Sequence, residues 1–181
     1  MHILPGDMIS APSLTSAASL AAPLLPHGLD VLIINGAYNT SSMSFRAPSS
    51  FSSPAESEVL KEDMHASLDV NVLGVVYSIN AFLPLIEKGT LKKIVAISTG
   101  LADPDFAIAG DGNPLFITYA SMKAALNMVV AKFAAELRSK DVKVLALSPG
   151  LVSTKETPRK LLPPFLSLLF PFSILAFFGL V

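Results

Sequence analysis

Three short apolar runs, each closed by a tight turn, restrict this chain more than any other feature. Val31 to Ile34 ends in Asn35-Gly36, Lys93 to Ser98 in Thr99-Gly100, and Val142 to Leu147 in Ser148-Pro149-Gly150. Such β-branched-rich runs read as strands mostly buried on both faces. The segments between them carry a helical period. Leu68, Val72, Val75, Val76, Ile79, Phe82 and Leu83 recur at steps of three and four, as do Met122, Leu126, Val129, Val130, Phe133 and Leu137. Pro84 is expected to end or kink the first of these helices. A weaker helix is predicted from Ser13 to Leu25, capped by Ser10 or Ser13, with Pro23 near its end. A strand is expected around His2 to Leu4, and residues 39 to 57, rich in Ser, Pro and Ala, read as an exposed loop. Strands alternating with helices of this length make βαβ units, so the fold class is α/β with a parallel sheet. No internal repeat or domain linker interrupts the pattern.

Composition narrows the function. With 181 residues, 51% of them hydrophobic, and a net charge of −1, the chain has the size and apolar content of one domain. Its basic residues form no cluster, which argues against nucleic acid as a partner. There is no cysteine, and His2, His27 and His65 lack ligand spacing, so no metal site is expected. The N-terminus has neither the basic region nor the apolar core of a signal peptide, which makes the cytoplasm the expected compartment.

The end of the sequence differs from its body. Leu161 to Val181 has no charged residue and contributes much of the mean hydropathy of +0.58. The chain therefore divides into a domain over 1–160 and an apolar segment over 161–181. Three readings of that segment stand open. It is long enough to span a bilayer, with Lys155, Arg159 and Lys160 favouring a cytosolic body and a membrane-associated tail. Pro163, Pro164 and Pro171 interrupt such a helix and suit a flap over an apolar substrate. The third reading is non-native sequence from a misread gene.

Tyr119 and Lys123 carry the chemistry. Four residues apart on one helix face, they can reach the same substrate and cofactor. A phenol is a poor acid/base at neutral pH, and a neighbouring ammonium is expected to lower its pKa toward a useful value. Taken alone, the pair could equally be an incidental Tyr on a surface helix.

It does not stand alone. Tyr119-Ala-Ser-Met-Lys123-Ala-Ala-Leu-Asn127 resembles the active-site helix of the short-chain dehydrogenases/reductases. Leu29-Asp30-Val31-Leu32-Ile33-Ile34-Asn35-Gly36-Ala37 resembles the strand that ends Asn-Asn-Ala-Gly in that family, with Ile34 replacing the first Asn and the last two small residues exchanged. Asp69-Val70-Asn71-Val72-Leu73-Gly74 is similar to the helix carrying its catalytic Asn, and Ile94-Val95-Ala96-Ile97-Ser98-Thr99 to the strand delivering its catalytic hydroxyl. Ser148-Pro149-Gly150-Leu151-Val152-Ser153-Thr154 is similar to the turn over the nicotinamide. The motifs keep the family order.

The resemblance implies a Rossmann-like doubly wound parallel sheet and a reaction in which hydride transfer interconverts a small-molecule carbonyl and its alcohol. It implies NADP or NAD as cofactor, NADP being preferred. Tyr119 becomes the general acid/base, Lys123 the residue that holds the ribose, and Asn71 the group that positions a relay water. Asn35, Val152, Thr154 and Asp7 become cofactor contacts, Asp7 having a turn or capping aspartate as its ordinary alternative. The catalytic hydroxyl is left between Thr99 and Ser98: the alignment falls on Thr99, while Ser98 precedes it and points to the opposite face if the strand continues regularly. Leu101 to Pro114 reads as an inserted substrate loop, and this insertion with Ser98-Thr99-Gly100-Leu101-Ala102-Asp103 resembles fungal members associated with secondary metabolism. The family uses the helices around 66–87 and 117–138 for homo-oligomers.

One part of the pattern is missing. The strand, glycine-rich turn and helix that bind the pyrophosphate have no counterpart before His2, so the sheet is expected to be incomplete, without its first two strands. A catalytically silent fragment acting as an interaction module, or a tail-anchored membrane protein, is therefore an alternative to a working oxidoreductase.

Overall fold

The computed structural model describes residues 2–109 and 113–150. Val152, Thr154 and the segment 161–181 lie outside them.

Ser10 starts the first helix, α1 (Ala11–Ala21), by accepting a hydrogen bond from the Ser13 N–H, and a 3-10 turn through Pro23 closes it. β1 (Val31–Ile34) follows, then a four-residue helix α2 (Ser41–Ser44) and a 3-10 turn at Pro48–Ser50. Ser53 caps α3 (Pro54–Leu68), which passes through a π-turn at Asp69–Leu73 into α4 (Gly74–Lys88). β2 (Lys93–Ile97), the short α5 (Pro104–Ile108), the long α6 (Ile117–Glu136) and β3 (Lys143–Leu147) complete the order.

The three strands form a parallel sheet in the order β1-β2-β3. Leu32 lies beside Ile94 and Ile94 beside Val144, while Ile34, Ala96 and Ala146 form the next row. Asp30 sets the entrance to the sheet: its carboxylate accepts from the N–H groups of Thr90 and Leu91, and its carbonyl from the Lys93 N–H. Those two amides, Leu91 first, hold its carboxyl below the ordinary aspartate range.

Alternation along the strands explains the core. Leu32, Ile34, Ile94 and Ala96 are buried against Ala17 and Ala21 of α1, Val75, Ile79 and Ile86 of α4, and Leu126 and Val130 of α6. Val31, Ile33, Val95 and Ile97 point the other way and stay half-buried, and Leu145 is exposed. The described helices that pack on the sheet thus form one layer of a doubly wound fold.

Three details differ from the sequence reading. Residues 2–7 form no strand, since a strand needs a neighbour for its backbone groups, and only Leu4 packs partly on the core. Pro84 does not end α4, which runs four residues further because Leu85 and Ile86 are buried in the core. The expected loop over 39–57 contains α2, a 3-10 turn and the first turn of α3.

The continuous helix from Pro54 to Lys88 is long and apolar enough, by length and composition, to cross a membrane. Half of its apolar window is buried inside this fold.

Candidate active site

The parallel strands bring their C-terminal ends to one edge, the place where α/β sheets hold ligands. Asn35 follows β1 there and is exposed, Ser98 and Thr99 follow β2, and Ser148 follows β3. α6 crosses this edge with Tyr119, Lys123 and Asn127 at successive four-residue steps.

Lys123 is the least expected side chain in its position, a cation only 1% exposed. Its Nζ donates to the Ile97 carbonyl at 2.8 Å and lies 5.7 Å from the Tyr119 ring centre. Burial pulls its pKa down to about 8. Tyr119 is half-buried, and burial pushes its pKa up. The direction is opposite to the expected lowering by the ammonium, and its cause is desolvation.

The two hydroxyls after β2 take different directions, as period-two alternation requires. Ser98 is buried, donating from Oγ to Asn127 Oδ1 at 2.7 Å, while its N–H reaches the Leu147 carbonyl at 2.8 Å. It ties β2 to α6 and β3. Thr99 is half-buried, and its Oγ1 accepts from the Leu101 N–H, which leaves the hydroxyl proton available to a substrate.

Asn71 sits fully buried in the π-turn. Its Nδ2 donates to the Tyr38 carbonyl and to Ser67 Oγ, each at 2.8 Å, and its Oδ1 accepts from the Tyr38 N–H at 3.0 Å. The side chain therefore clamps the segment after β1. A π-turn also releases a backbone carbonyl from the helical ladder, and such turns concentrate at functional sites.

Asp7 is exposed and makes an Asx turn, Oδ1 accepting from the Ile9 N–H, ahead of α1. Its structural role is thus the turn. Beside it, Met8 fills the space between Gly36 and Gly74, where a Cβ on Gly36 would fall 2.2 Å from the Met8 sulfur. Sequence reasoning missed Tyr38, Asp63 and Thr40, which form one cluster: the Tyr38 and Thr40 hydroxyls both donate to Asp63 Oδ1. It also missed Asn127 as the partner of Ser98, although the four-residue step from Lys123 marks it.

Residues 1–161 match the family model described as short chain dehydrogenase. The chain belongs to the short-chain dehydrogenase family. Among its relatives, the short-chain dehydrogenase/reductase atnB of Arthrinium sp is 38% identical over 157 residues, covering 87% of this chain and 58% of that protein. The short-chain dehydrogenase/reductase AacuF of Aspergillus aculeatus is 39% identical over 158 residues, with the same coverage of 87% and 58%. The chain thus spans little more than half the length of the curated relatives it matches. Among solved structures, the putative carbonyl reductase Sniffer of Caenorhabditis elegans superposes with a TM-score of 0.66 at 25% identity, covering 82% of this chain and 63% of that one. A short chain dehydrogenase from Burkholderia cenocepacia, solved with NADP, gives a TM-score of 0.66 at 22% identity, with coverage of 90% and 60%.

Proposed function

We propose that this chain carries the proton-transfer half of an NADP- or NAD-dependent oxidoreductase that reduces a small carbonyl compound, or oxidises the corresponding alcohol. The observation that carries this reading is Lys123, a buried cation bonded to the end of β2 and set beside Tyr119. Burying an ammonium costs several kcal/mol unless partners offset it, only the Ile97 carbonyl does so among the described residues, and in this family's fold that position faces the bound dinucleotide. Solved structures of the same fold hold NADP or NAD, which is consistent with either dinucleotide here.

The residues present fit one end of such a cofactor. The Lys123 ammonium has three hydrogens and one acceptor among the described residues, the Ile97 carbonyl, so two donors are left for a ribose diol. Tyr119 completes that contact, and Asn35 and Asp7 lie toward the adenosine end. Among the described residues, no glycine-rich turn opens a helix that would receive the diphosphate. When bound, the nicotinamide supplies the hydride. Tyr119 gives its proton from Oη to the carbonyl oxygen, and Lys123, charged below about pH 8, stabilises the resulting phenolate. Thr99 donates its hydroxyl hydrogen to the same oxygen and orients it. Asn71 holds the Tyr38 segment and leaves a π-turn carbonyl for the water that returns a proton to the site.

A raised phenol pKa sets the direction of the pH effect. Reduction needs the protonated phenol and proceeds at neutral pH, whereas oxidation needs the phenolate and rises as pH approaches the raised pKa. Replacing Tyr119 by Phe removes the transferable proton and leaves the diol contact of Lys123. We expect loss of nearly all carbonyl reduction with ligand binding retained. Unchanged turnover in Tyr119→Phe overturns the assignment.

A further inference from the structure

The segment that leaves β1 is bonded at one end to the π-turn and at the other to the start of α6, and one carboxylate of α3 holds it in between. Tyr38 and Thr40 both donate their hydroxyls to Asp63 Oδ1, at 3.3 and 3.0 Å. The Tyr38 backbone is bonded twice to Asn71, its N–H to Oδ1 at 3.0 Å and its carbonyl to Nδ2 at 2.8 Å. From Thr40 the chain turns into α2, the Thr40 carbonyl accepting from the Ser44 N–H at 3.0 Å and from Ser44 Oγ at 2.7 Å. The Ser44 carbonyl then accepts from the Phe116 N–H at 2.9 Å, and the Phe45 and Phe116 rings meet edge-on, centres 5.6 Å apart. The Phe116 carbonyl in turn accepts from the Ala120 N–H at 2.8 Å, closing the first turn of α6, in which Tyr119 lies.

That entry to α6 needs holding. Phe116 adopts a left-handed backbone, φ 63° and ψ 31°, and gives the helix no side-chain cap. A bulky residue in that region is strained and persists only where its surroundings fix it. Ser44 and Phe45 supply the fixing, and Asp63 fixes the segment that carries them. We propose that Asp63 is a positioning residue: by holding Tyr38 and Thr40 it sets the register of residues 38–44, and through them the places of Asn71 and of the α6 turn that presents Tyr119. A carboxylate suits this task, because two hydroxyls converging on one oxygen need an acceptor with more than one lone pair, and bonds to a charged acceptor are the stronger ones. Its Oδ2 takes no hydrogen bond from a described residue, so the fastening runs through Oδ1 alone. Burial first and the Asp63 charge second hold the Tyr38 phenol above its ordinary range, which keeps it a donor. The consequence for turnover rests on the oxidoreductase reading above; the fastening itself does not.

The test uses the 181-residue chain labelled with fluorotyrosine, whose three tyrosines give three fluorine NMR signals, that of Tyr119 being identified by its loss in Tyr119→Phe. Asp63→Ala should speed hydrogen exchange of the Tyr38 and Phe116 amides about tenfold, as loss of bonds to a charged acceptor does. The Leu29 amide, bonded to the Leu85 carbonyl at the opposite end of the sheet, should keep its protection. The Tyr119 signal should titrate at a lower pH than in the parent, since a loosened first turn admits water to a phenol whose pKa is raised by burial. Asp63→Asn, whose amide oxygen accepts the same two hydroxyls, should restore both readouts. If Leu29 protection is lost in Asp63→Ala, the chain has unfolded, and Thr40→Val, which removes one of the two bonds, should then give the same changes at smaller size. Unaltered Phe116 exchange or an unaltered Tyr119 titration in the folded variants overturns the positioning role. An Asp63-dependent Tyr119 titration in a chain that reduces no carbonyl, even with the cofactor-binding segment supplied, supports the positioning of Tyr119 and overturns the reaction.

Discussion

At Lys123 the function works against stability, and pH separates the two. Its pKa is about 8 in the folded chain against an ordinary 10.5. Below about pH 8 both folded and unfolded chains carry the charge, and the folded one bears the full burial penalty. Between about 8 and 10.5 the unfolded chain binds more protons than the folded one, so stability rises with pH. The gap corresponds to roughly 3 kcal/mol. Lys123→Met should lack this gain, so urea unfolding of both proteins at pH 7.5 and 10.5 should show a smaller rise in the variant by about that amount. An identical rise in both would mean that Lys123 is not desolvated. The hydroxyls after β2 give a second prediction. In protein competent for turnover, Thr99→Ala should lower carbonyl reduction about 100-fold, as loss of a donor to the reacting oxygen does. Ser98→Ala should lower turnover far less and instead cost roughly 1–2 kcal/mol of stability by orphaning Asn127. The opposite ranking would place Ser98 in the site. The Tyr119–Lys123 pair and the Ser98/Thr99 alternation were legible because they depend on spacing along one helix or one strand, whereas Asn71 entered only through the family resemblance. The Phe45–Phe116 pair was not, because it joins residues 71 positions apart through a left-handed backbone that no periodicity announces.

Between β1 and β2 the elements are joined at contacts that tolerate no side chain. Gly28, with φ +87°, and Gly89 bring the entrance of β1 against the end of α4; a Cβ on Gly89 would lie 2.2 Å from the Leu29 carbonyl oxygen. That oxygen belongs to backbone held by the hydrogen bond from the Leu29 N–H to Leu85, so it cannot yield. Gly89→Ala should therefore cost about 3 kcal/mol. Gly6→Ala, whose Cβ would meet its neighbours at 3.6 Å and beyond, should change stability little. Thermal unfolding of the two variants tests the contrast, and equal midpoints would mean that the strand entrance can shift. The same scale shows what pattern reading could and could not see. A helix over 68–83 was evident from its apolar period, yet the π-turn at Asp69–Leu73 was hidden. Pro84 does not end α4, since burial of Leu85 and Ile86 outweighs the lost amide and keeps the helix going.

At the scale of the molecule, the active edge of the sheet and the cofactor demand different amounts of protein. The proposed proton transfer draws on β2, α6 and the π-turn, all of which are described: α6 packs on the π-turn and is hydrogen-bonded to the end of β2 through Lys123 and Ser98. Dinucleotide affinity needs backbone amides at a helix N-terminus facing the diphosphate. No described helix pairs such an end with a glycine-rich turn: α1 begins with Pro12 in its first turn and is preceded by Met8, lodged against Gly36 and Gly74. Tyr119 and Lys123 can orient the nicotinamide end while the diphosphate charge stays in water. Several absent charge-assisted bonds, at roughly 1.5–3 kcal/mol each, move micromolar binding into the millimolar range. We therefore expect titration calorimetry of the 181-residue chain with NADPH and NADH to give dissociation constants of about a millimolar or weaker. Addition of a polypeptide carrying the strand, glycine-rich turn and helix should tighten binding. Micromolar affinity for the chain by itself would mean that its own residues or a second copy supply the diphosphate contacts, and the division between a proton-transfer half and a cofactor-binding half would then be wrong.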